Sequence, residues 1–387
     1  MRVRRVLGVV VALVAAVGVL AACATASAPP PGAPPTAAAL TLTPAAGATN
    51  ADPGAPATAS APNADLTGVQ LLGPDGQVIP GAPSPDGHRW STTAPLAYGA
   101  TYSWTGTAKA SAGPTTLSGS FTTVAPSDTT KASFTEPDDN ATVGIAAPII
   151  LQFRGPVQDK AAVERAITVH TSVPVVGAWA WLPDDNGGAR LHYRPQNYWP
   201  ENTVVDVTAN LLGVDLGGGT FGAGDVSTHF TVGRSLITKA DINSHHLVVV
   251  QDGRTVMDVP ASYGLGTDPN RITRNGTHVV MDKQQTVLMS NPAYGYVNEP
   301  EHWAVRISNN GEFIHANPAS SSAQGSSNVT HGCANLSDAD ATAYFNLVIY
   351  GDPVEVTGSP IQLSGADGDI YDWAVPWDQW RAMSALA

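Results

Sequence analysis

The sequence predicts a mainly-β chain: two tandem β-sandwich modules, then a third, mostly-β region with one short helix. Three observations carry that reading. Beyond residue 63 the chain breaks into short segments with period-two alternation, bounded by Gly, Pro, Asn and Asp turn signals. The segment ends "SFTTV" and "HFTVG", closing at Val124 and Gly233, form a weak internal repeat, as tandem sandwiches would give. Only "SDADATAYFNLVIYG" combines helical spacing with an N-cap, Ser337 or Asp338, and a closing glycine, Gly351.

Taken in order, the chain opens on Arg2, Arg4 and Arg5, followed by an uncharged apolar run from Val6 to Ala22. A basic start, a short apolar stretch and small residues at its end make an export signal over residues 1–22. A membrane-spanning helix needs about 20 apolar residues, and this run is slightly short. Its last four residues, "LAAC", resemble the bacterial lipobox, which implies that Cys23 is joined to diacylglycerol and becomes the new N-terminus. Residues 23–63 are Ala, Pro, Thr, Gly and Ser with almost no charge, and they read as an extended tether.

Residues 64–126 hold the first module. "VQLLGPDGQVIPG" places a Pro-Asp-Gly turn between apolar runs, and "TYSWTGTA" sets Tyr102 and Trp104 on one face against Ser103 and Thr105. Short strands of this kind suit a small sandwich of immunoglobulin type. Residues 127–234 repeat the plan with "PIILQF", "AITVHT", "ARLHYRP", "TVVDVTAN" and "STHFTVG" as strands and "QDKAAVERAI" as a short helix. Trp179, Trp181, Tyr198 and Trp199 are expected to fill cores or seams. The third region, residues 235–358, has strands around the Asp-Gly turn of "HHLVVVQDGRTVMDVPASYG", another pair in "NGTHVVMDKQQTVLMS", and a strand, an Asn-Gly turn and a strand in "AVRISNNGEFIHANPAS". The tail, residues 359–387, brings Trp373, Trp377 and Trp380 together and is expected to pack on another domain.

Of the 387 residues 43% are hydrophobic and 13% charged, ample for a core in each module. A formal charge of −13, with no Lys/Arg cluster outside "MRVRR", argues against nucleic acid as a partner. Cysteines number two. If Cys23 carries lipid, Cys333 has no disulfide partner, and an unpaired thiol in an exported protein is either a buried, inert core residue or a reactive one. Its neighbours favour the second. In "NVTHGCANLS" His331 stands two residues before the thiol, His315 ends a strand further upstream, and Gly332 leaves backbone N–H groups free to face an oxyanion. His245, His246, His278 and His302 lack the company of a metal site.

"FIHANPAS" followed by "VTHGCANLS", with "ASYG" upstream and "AYGYV" between, resembles the L,D-transpeptidase catalytic domain of the YkuD type over residues 236–358. The family pattern, a histidine, a loop, then Ser/Thr-His-Gly-Cys-apolar-Asn, is met by His315, Thr330, His331, Gly332, Cys333, Ala334 and Asn335. The layout as a whole, with its lipobox, tether, two immunoglobulin-like modules and Trp-rich tail, is similar to mycobacterial-type members.

The resemblance implies a mostly-β catalytic fold that cross-links peptidoglycan stem peptides without metal or organic cofactor. Cys333 would attack the L-centre carbonyl of meso-diaminopimelate in a tetrapeptide, release D-alanine and pass the acyl group to a second stem as a 3→3 link. His315 would be the base, held by the backbone carbonyl of Ala316, where relatives often have serine. His331 and the N–H groups of Gly332 and Cys333 would line the oxyanion site; Tyr296, Asn310, Gly311 and Asn335 would contact substrate or shape its groove. Two departures stand out: "NPASSSAQG" lacks the tryptophan some relatives carry, and Ala334 is smaller than the usual aliphatic. The same resemblance implies acylation by carbapenems and, with the lipobox, a lipid-anchored place on the outer face of the membrane; three rivals stay open, an L,D-carboxypeptidase that uses water, an enzyme that attaches stem peptides to a protein partner, or a silent wall-binding lipoprotein.

Overall fold

The computed structural model describes residues 34–185, 187–366 and 370–387; the signal, Cys23 and the start of the tether lie outside them. Among the described residues no helix is long and apolar enough to cross a membrane.

Each of the first two modules is a pair of facing sheets. In the first, Thr41–Thr43, Thr58–Ser60, Arg89–Thr92 and Gly81–Pro83 form one sheet, and Asp65–Leu72, Thr101–Ala110 and Gly113–Thr122 the other. Tyr102 and Trp104 point inward at 2% exposure, as their alternation predicts. The expected tether is corrected here: residues 34–63 belong largely to this module. Ala57, Ala59 and Ala61 are fully buried, one face of a strand at period two, against Leu71, Trp90, Trp104 and Phe121. Alanine suits that face because indoles from both sheets fill the space between them: Trp90, beside Ala59 in the same sheet, and Trp104, from the facing sheet, meet edge to face at 5.7 Å.

The second module pairs the sheet Ala141–Val143, Val226–Val232, Val204–Ala209, Ile167–Thr171 with the sheet Gly177–Asp185, Gly188–Pro195, Ile149–Phe153, Ala132–Glu136. All five strands read from the sequence are present. So is the helix, Lys160–Arg165, whose N-cap Asp159 accepts a hydrogen bond from the N–H of Ala162 at 2.9 Å.

The third domain stacks a five-stranded sheet (Arg254–Pro260, His246–Gln251, Leu236–Asp241, Pro353–Thr357, Gly276–Val279) on a four-stranded one (Asp282–Asn291, Tyr296–Arg306, Phe313–Ala316, Ala334–Leu336). The strands Gly276–Val279 and Asp282–Asn291, expected as a pair, go to different sheets, so the short link between them is where the chain changes layer. Helix Asp338–Leu347, capped by Ser337, buries Ala341 and Tyr344 in the core between the layers.

The tail closes on the second module. Trp380, fully buried, donates to the carbonyl of Ala178, Trp373 donates to that of Ala146, and the Arg194 guanidinium lies over the rings of Trp373, Trp377 and Trp380 at 4.7, 5.3 and 4.9 Å. Trp199 is core and Tyr198 is seam, its ring on Trp373 and its hydroxyl donating to Glu355 at 2.9 Å.

Candidate active site

The site is built at the one parallel pairing of the four-stranded sheet, where Phe313–Ala316 runs beside Ala334–Leu336 with His315 opposite Asn335. Side chains alternate along a strand, so Cys333, two residues before Asn335, lies on the face that His315 uses. Register places thiol and imidazole together. The thiol is 8% exposed, packed with Ala304 and Phe313, and its Sγ lies 3.7 Å from the carbonyl of Gly311.

The segment ahead of the thiol is held by its backbone. Thr330 Oγ1 donates to the carbonyl of Cys333 at 2.7 Å and accepts from the N–H of Gly332 at 3.3 Å. Thr273 Oγ1 donates to the carbonyl of Gly332 at 2.8 Å, and the Arg271 guanidinium donates to the carbonyls of Val329 and Thr330. The N–H of Gly332, expected to face an oxyanion, is thus turned to Thr330 in the resting site. Gly332 itself has φ +115°, which other residues rarely adopt. A Cβ there would meet Glu312 Cγ at 3.6 Å, an ordinary contact, so the backbone and not space excludes alanine. Gly332→Ala should therefore cost about 1–3 kcal/mol of stability and slow acylation of the thiol about tenfold or more, because the nucleophile's backbone shifts. Thermal unfolding and the acylation rate, read side by side, check this.

His315 is 3% exposed. Its Nδ1 lies 2.9 Å from the carbonyl of Ala316 and 3.1 Å from Glu301 Oε2, which leaves Nε2 for the thiol. Burial alone would lower its pKa. The hydrogen bonds and charges of Cys333 and Glu301 outweigh burial and lift it to about 10, so imidazolium is the favoured form of His315. His331 behaves in the opposite way. Its exposed ring rests on Tyr294 and Tyr296, with centroids at 4.9 and 5.3 Å. Partial burial, then the Arg271 charge, lower its pKa against the pull of Asp268, keeping it neutral at neutral pH.

Two cavities meet at the thiol. One, of about 320 Å³, is lined by Cys333, His315, His331, Thr330, Tyr296 and Asn335 together with Glu299, Glu301 and Ser320. The other, of about 330 Å³, is lined by Cys333, His331, Gly332, Tyr296, Asn310 and Gly311 together with Arg274 and Arg306. Asn335 is positioned by backbone bonds to Ser262 and donates to Ser320 Oγ at 3.3 Å. Ala316 contributes its carbonyl, while its methyl is buried in the core. Cys23 lies outside the described residues. Sequence reasoning missed Glu299 and Glu301. The signal was there in "NEPEHW": acids two apart on a strand share one face.

A buried imidazole paired with a thiol free of any disulfide at the junction of two cavities, on a mostly-β scaffold, defines a cysteine acyltransferase. Family comparison is specific. Residues 237–356 match the L,D-transpeptidase catalytic domain and residues 48–215 the bacterial Ig domain. L,D-transpeptidase 5 of Mycobacterium tuberculosis (strain ATCC 25618 / H37Rv) is 52% identical over 354 residues, covering 91% of this chain and 78% of the relative. L,D-transpeptidase 2 of Mycobacterium tuberculosis (strain CDC 1551 / Oshkosh) is 38% identical over 330 residues, covering 83% and 79%. Among solved structures, LD transpeptidase LdtMt1 in complex with imipenem matches at 33% identity and a TM-score of 0.49, over 59% of this chain and 99% of that one. The chain belongs to the L,D-transpeptidase family, whose role is peptidoglycan cross-linking.

Proposed function

We propose that the chain forms 3→3 links between meso-diaminopimelate residues of neighbouring stems. The observation that carries this is the meeting of two cavities at one sulfur, one bearing Glu299 and Glu301 and the other Arg274 and Arg306 beside Glu312. An acceptor stem offers a cationic side-chain amine, which suits Glu299 and Glu301. A donor tetrapeptide offers carboxylates, which suit Arg274 and Arg306. A hydrolase needs only the second cavity.

In this reading the Cys333 thiolate attacks the L-centre carbonyl of the donor, forming a C–S bond and a tetrahedral oxyanion that the N–H of Cys333 and the neutral His331 ring accommodate. Collapse breaks the C–N bond to D-alanine, whose nitrogen takes the proton from His315 Nε2. The acceptor amine, having first given up one proton to Glu299 or solvent to become neutral, attacks the thioester and passes its second proton to His315. The new C–N bond forms, the C–S bond breaks, and the thiolate is restored. The same sulfur would open a carbapenem ring and keep the acyl group. Tyr296, Asn310, Gly311 and Asn335 line the groove these substrates occupy. We further place the chain outside the cytoplasmic membrane, anchored through lipid on Cys23, with the two sandwiches between membrane and active site.

Intact-mass measurement of the full chain in detergent tests all three parts. Its starting mass reads cleavage before Cys23 and the added diacylglycerol. With a tetrapeptide muropeptide, a thioester-sized gain that Cys333→Ala lacks, and 3→3 dimers in solution, is the expected result. Adduct with only shortened monomers would make the chain a carboxypeptidase. Absence of any adduct, with either muropeptide or carbapenem, would leave the silent wall-binding reading.

A further inference from the structure

We infer that Glu301 is a positioning residue for His315, the third member of a Cys333–His315–Glu301 array in which its carboxylate steadies the imidazolium. The inference rests on the reading of Cys333 and His315 above and deepens it.

Glu301 does not come from the segment that carries the motif. It lies on Tyr296–Arg306, opposite Val287, one residue before the point where His302 pairs with Ala316. From there Oε2 reaches His315 Nδ1 at 3.1 Å, with the glutamate side chain 22% and the histidine 4% exposed. The same strand loses its regular register between His302 and Val305, and within that break Trp303 has φ +53°, a conformation that bulky residues rarely hold. Irregularities of this kind beside active sites re-aim side chains. Here the break follows the residue whose carboxylate turns into the site.

The chemistry separates Glu301 from Ala316. Both offer Nδ1 an acceptor, so the proton of the neutral ring sits on Nδ1 and the Nε2 lone pair faces the thiol. The Ala316 carbonyl alone is enough to fix that tautomer. What it cannot supply is a negative charge to balance the imidazolium that forms when the thiol proton moves to Nε2. Glu301 supplies it in direct contact with an imidazole that is itself almost wholly removed from solvent. The other titratable groups facing this space are Cys333 itself and Glu299, Tyr296 and His331 on the cavity wall. Glu299 adds negative charge on the cavity wall and neutral His331 adds none, while Glu301 is the carboxylate in contact with the ring.

The test is the pH profile of Cys333 alkylation by iodoacetamide in the full chain, for wild type, Glu301→Gln, Glu301→Asp and His315→Asn. Alkylation needs the thiolate but no peptide substrate, so it does not depend on what the enzyme acylates. Glu301→Gln keeps shape and tautomer and removes charge. With imidazolium less favoured, less thiolate stands at neutral pH, and the rate there should fall about tenfold, one unit of differential stabilisation. The profiles should converge near pH 10, where wild-type His315 also loses its proton. Glu301→Asp, with the charge withdrawn by one methylene, should fall between them. A profile for Glu301→Gln that overlays wild type would overturn the inference. So would an even slowing at every pH with a lowered unfolding temperature, since that describes a merely structural side chain. If wild type alkylates no faster than His315→Asn, the Cys–His reading itself fails and takes the inference with it.

Discussion

In the full chain, His315→Asn should lower the rate of thioester formation by about 10²–10⁴-fold, the usual worth of a positioned acid–base group. Asparagine keeps a donor near the Ala316 carbonyl, so the strand Phe313–Ala316 and its pairing with Ala334–Leu336 should persist. What disappears is the group that, in the proposed mechanism, takes the thiol proton and later hands it to the departing amine. The residual rate of the variant should climb with pH as hydroxide replaces the imidazole. The wild-type rate should hold across the neutral range, because burial is outweighed by Cys333 and Glu301 and the imidazolium persists toward pH 10. Single-turnover acylation followed by intact mass gives both numbers. A variant within about threefold of wild type at pH 7 would remove His315 from the mechanism, being far less than acid–base catalysis supplies.

The second large effect lies away from the thiol. Arg234→Met should destabilise the chain by about 3–5 kcal/mol, the cost of stranding a buried charge. Asp352 is fully buried, and both its oxygens receive the Arg234 guanidinium, at 2.8 and 2.7 Å. Arg234 also donates to the carbonyl of Leu347 at 2.8 Å, so it ties the link between the second and third domains to the end of helix Asp338–Leu347. Burial pushes the Asp352 carboxyl above its usual range, against the opposing pull of Arg234. A carboxyl whose pKa is higher folded than unfolded takes up a proton on folding. The penalty in the variant should therefore be small below the ordinary carboxylate pKa and deepen as pH rises through the raised folded value. Chemical denaturation at pH 4 and pH 8 measures this. Arg234→Met with Asp352→Asn should recover much of the loss; a double variant as weak as the single one would mean that packing, not charge, holds the junction.

How far such features were legible varies with the kind of information each needs. Ile149–Phe153, Val204–Ala209 and Val226–Val232 announce themselves because β-branched runs between turn residues have few other uses. Helix Asp338–Leu347 was legible from its cap and spacing. Alanines 57, 59 and 61 were not, since composition counts small residues as weakly apolar and says nothing of the indoles that surround them, Trp90 from the neighbouring strand and Trp104 from the facing sheet. The separation of Gly276–Val279 from Asp282–Asn291 was equally hidden, because period two tells which face a residue uses but not which sheet its strand joins. The site divides along the same line. Thr330 to Asn335 is local, and the motif delivers it. Glu301 reaches His315 only through the cross-strand register of a hairpin, and Arg271 and Thr273 brace the thiol's loop from a segment far upstream. Local patterns do not encode those meetings.

The closure of the tail onto the second module has a mechanical consequence. The third domain is fastened where the chain enters it, by Arg234 on Asp352, and again where the chain leaves it, by Trp373 on Ala146 and Trp380 on Ala178. Swivelling the head on its neighbour would have to break contacts at both ends at once, as with a tool riveted to its boom at two points. Cargo fused at Ala387 would therefore press on the clasp before it reached the groove.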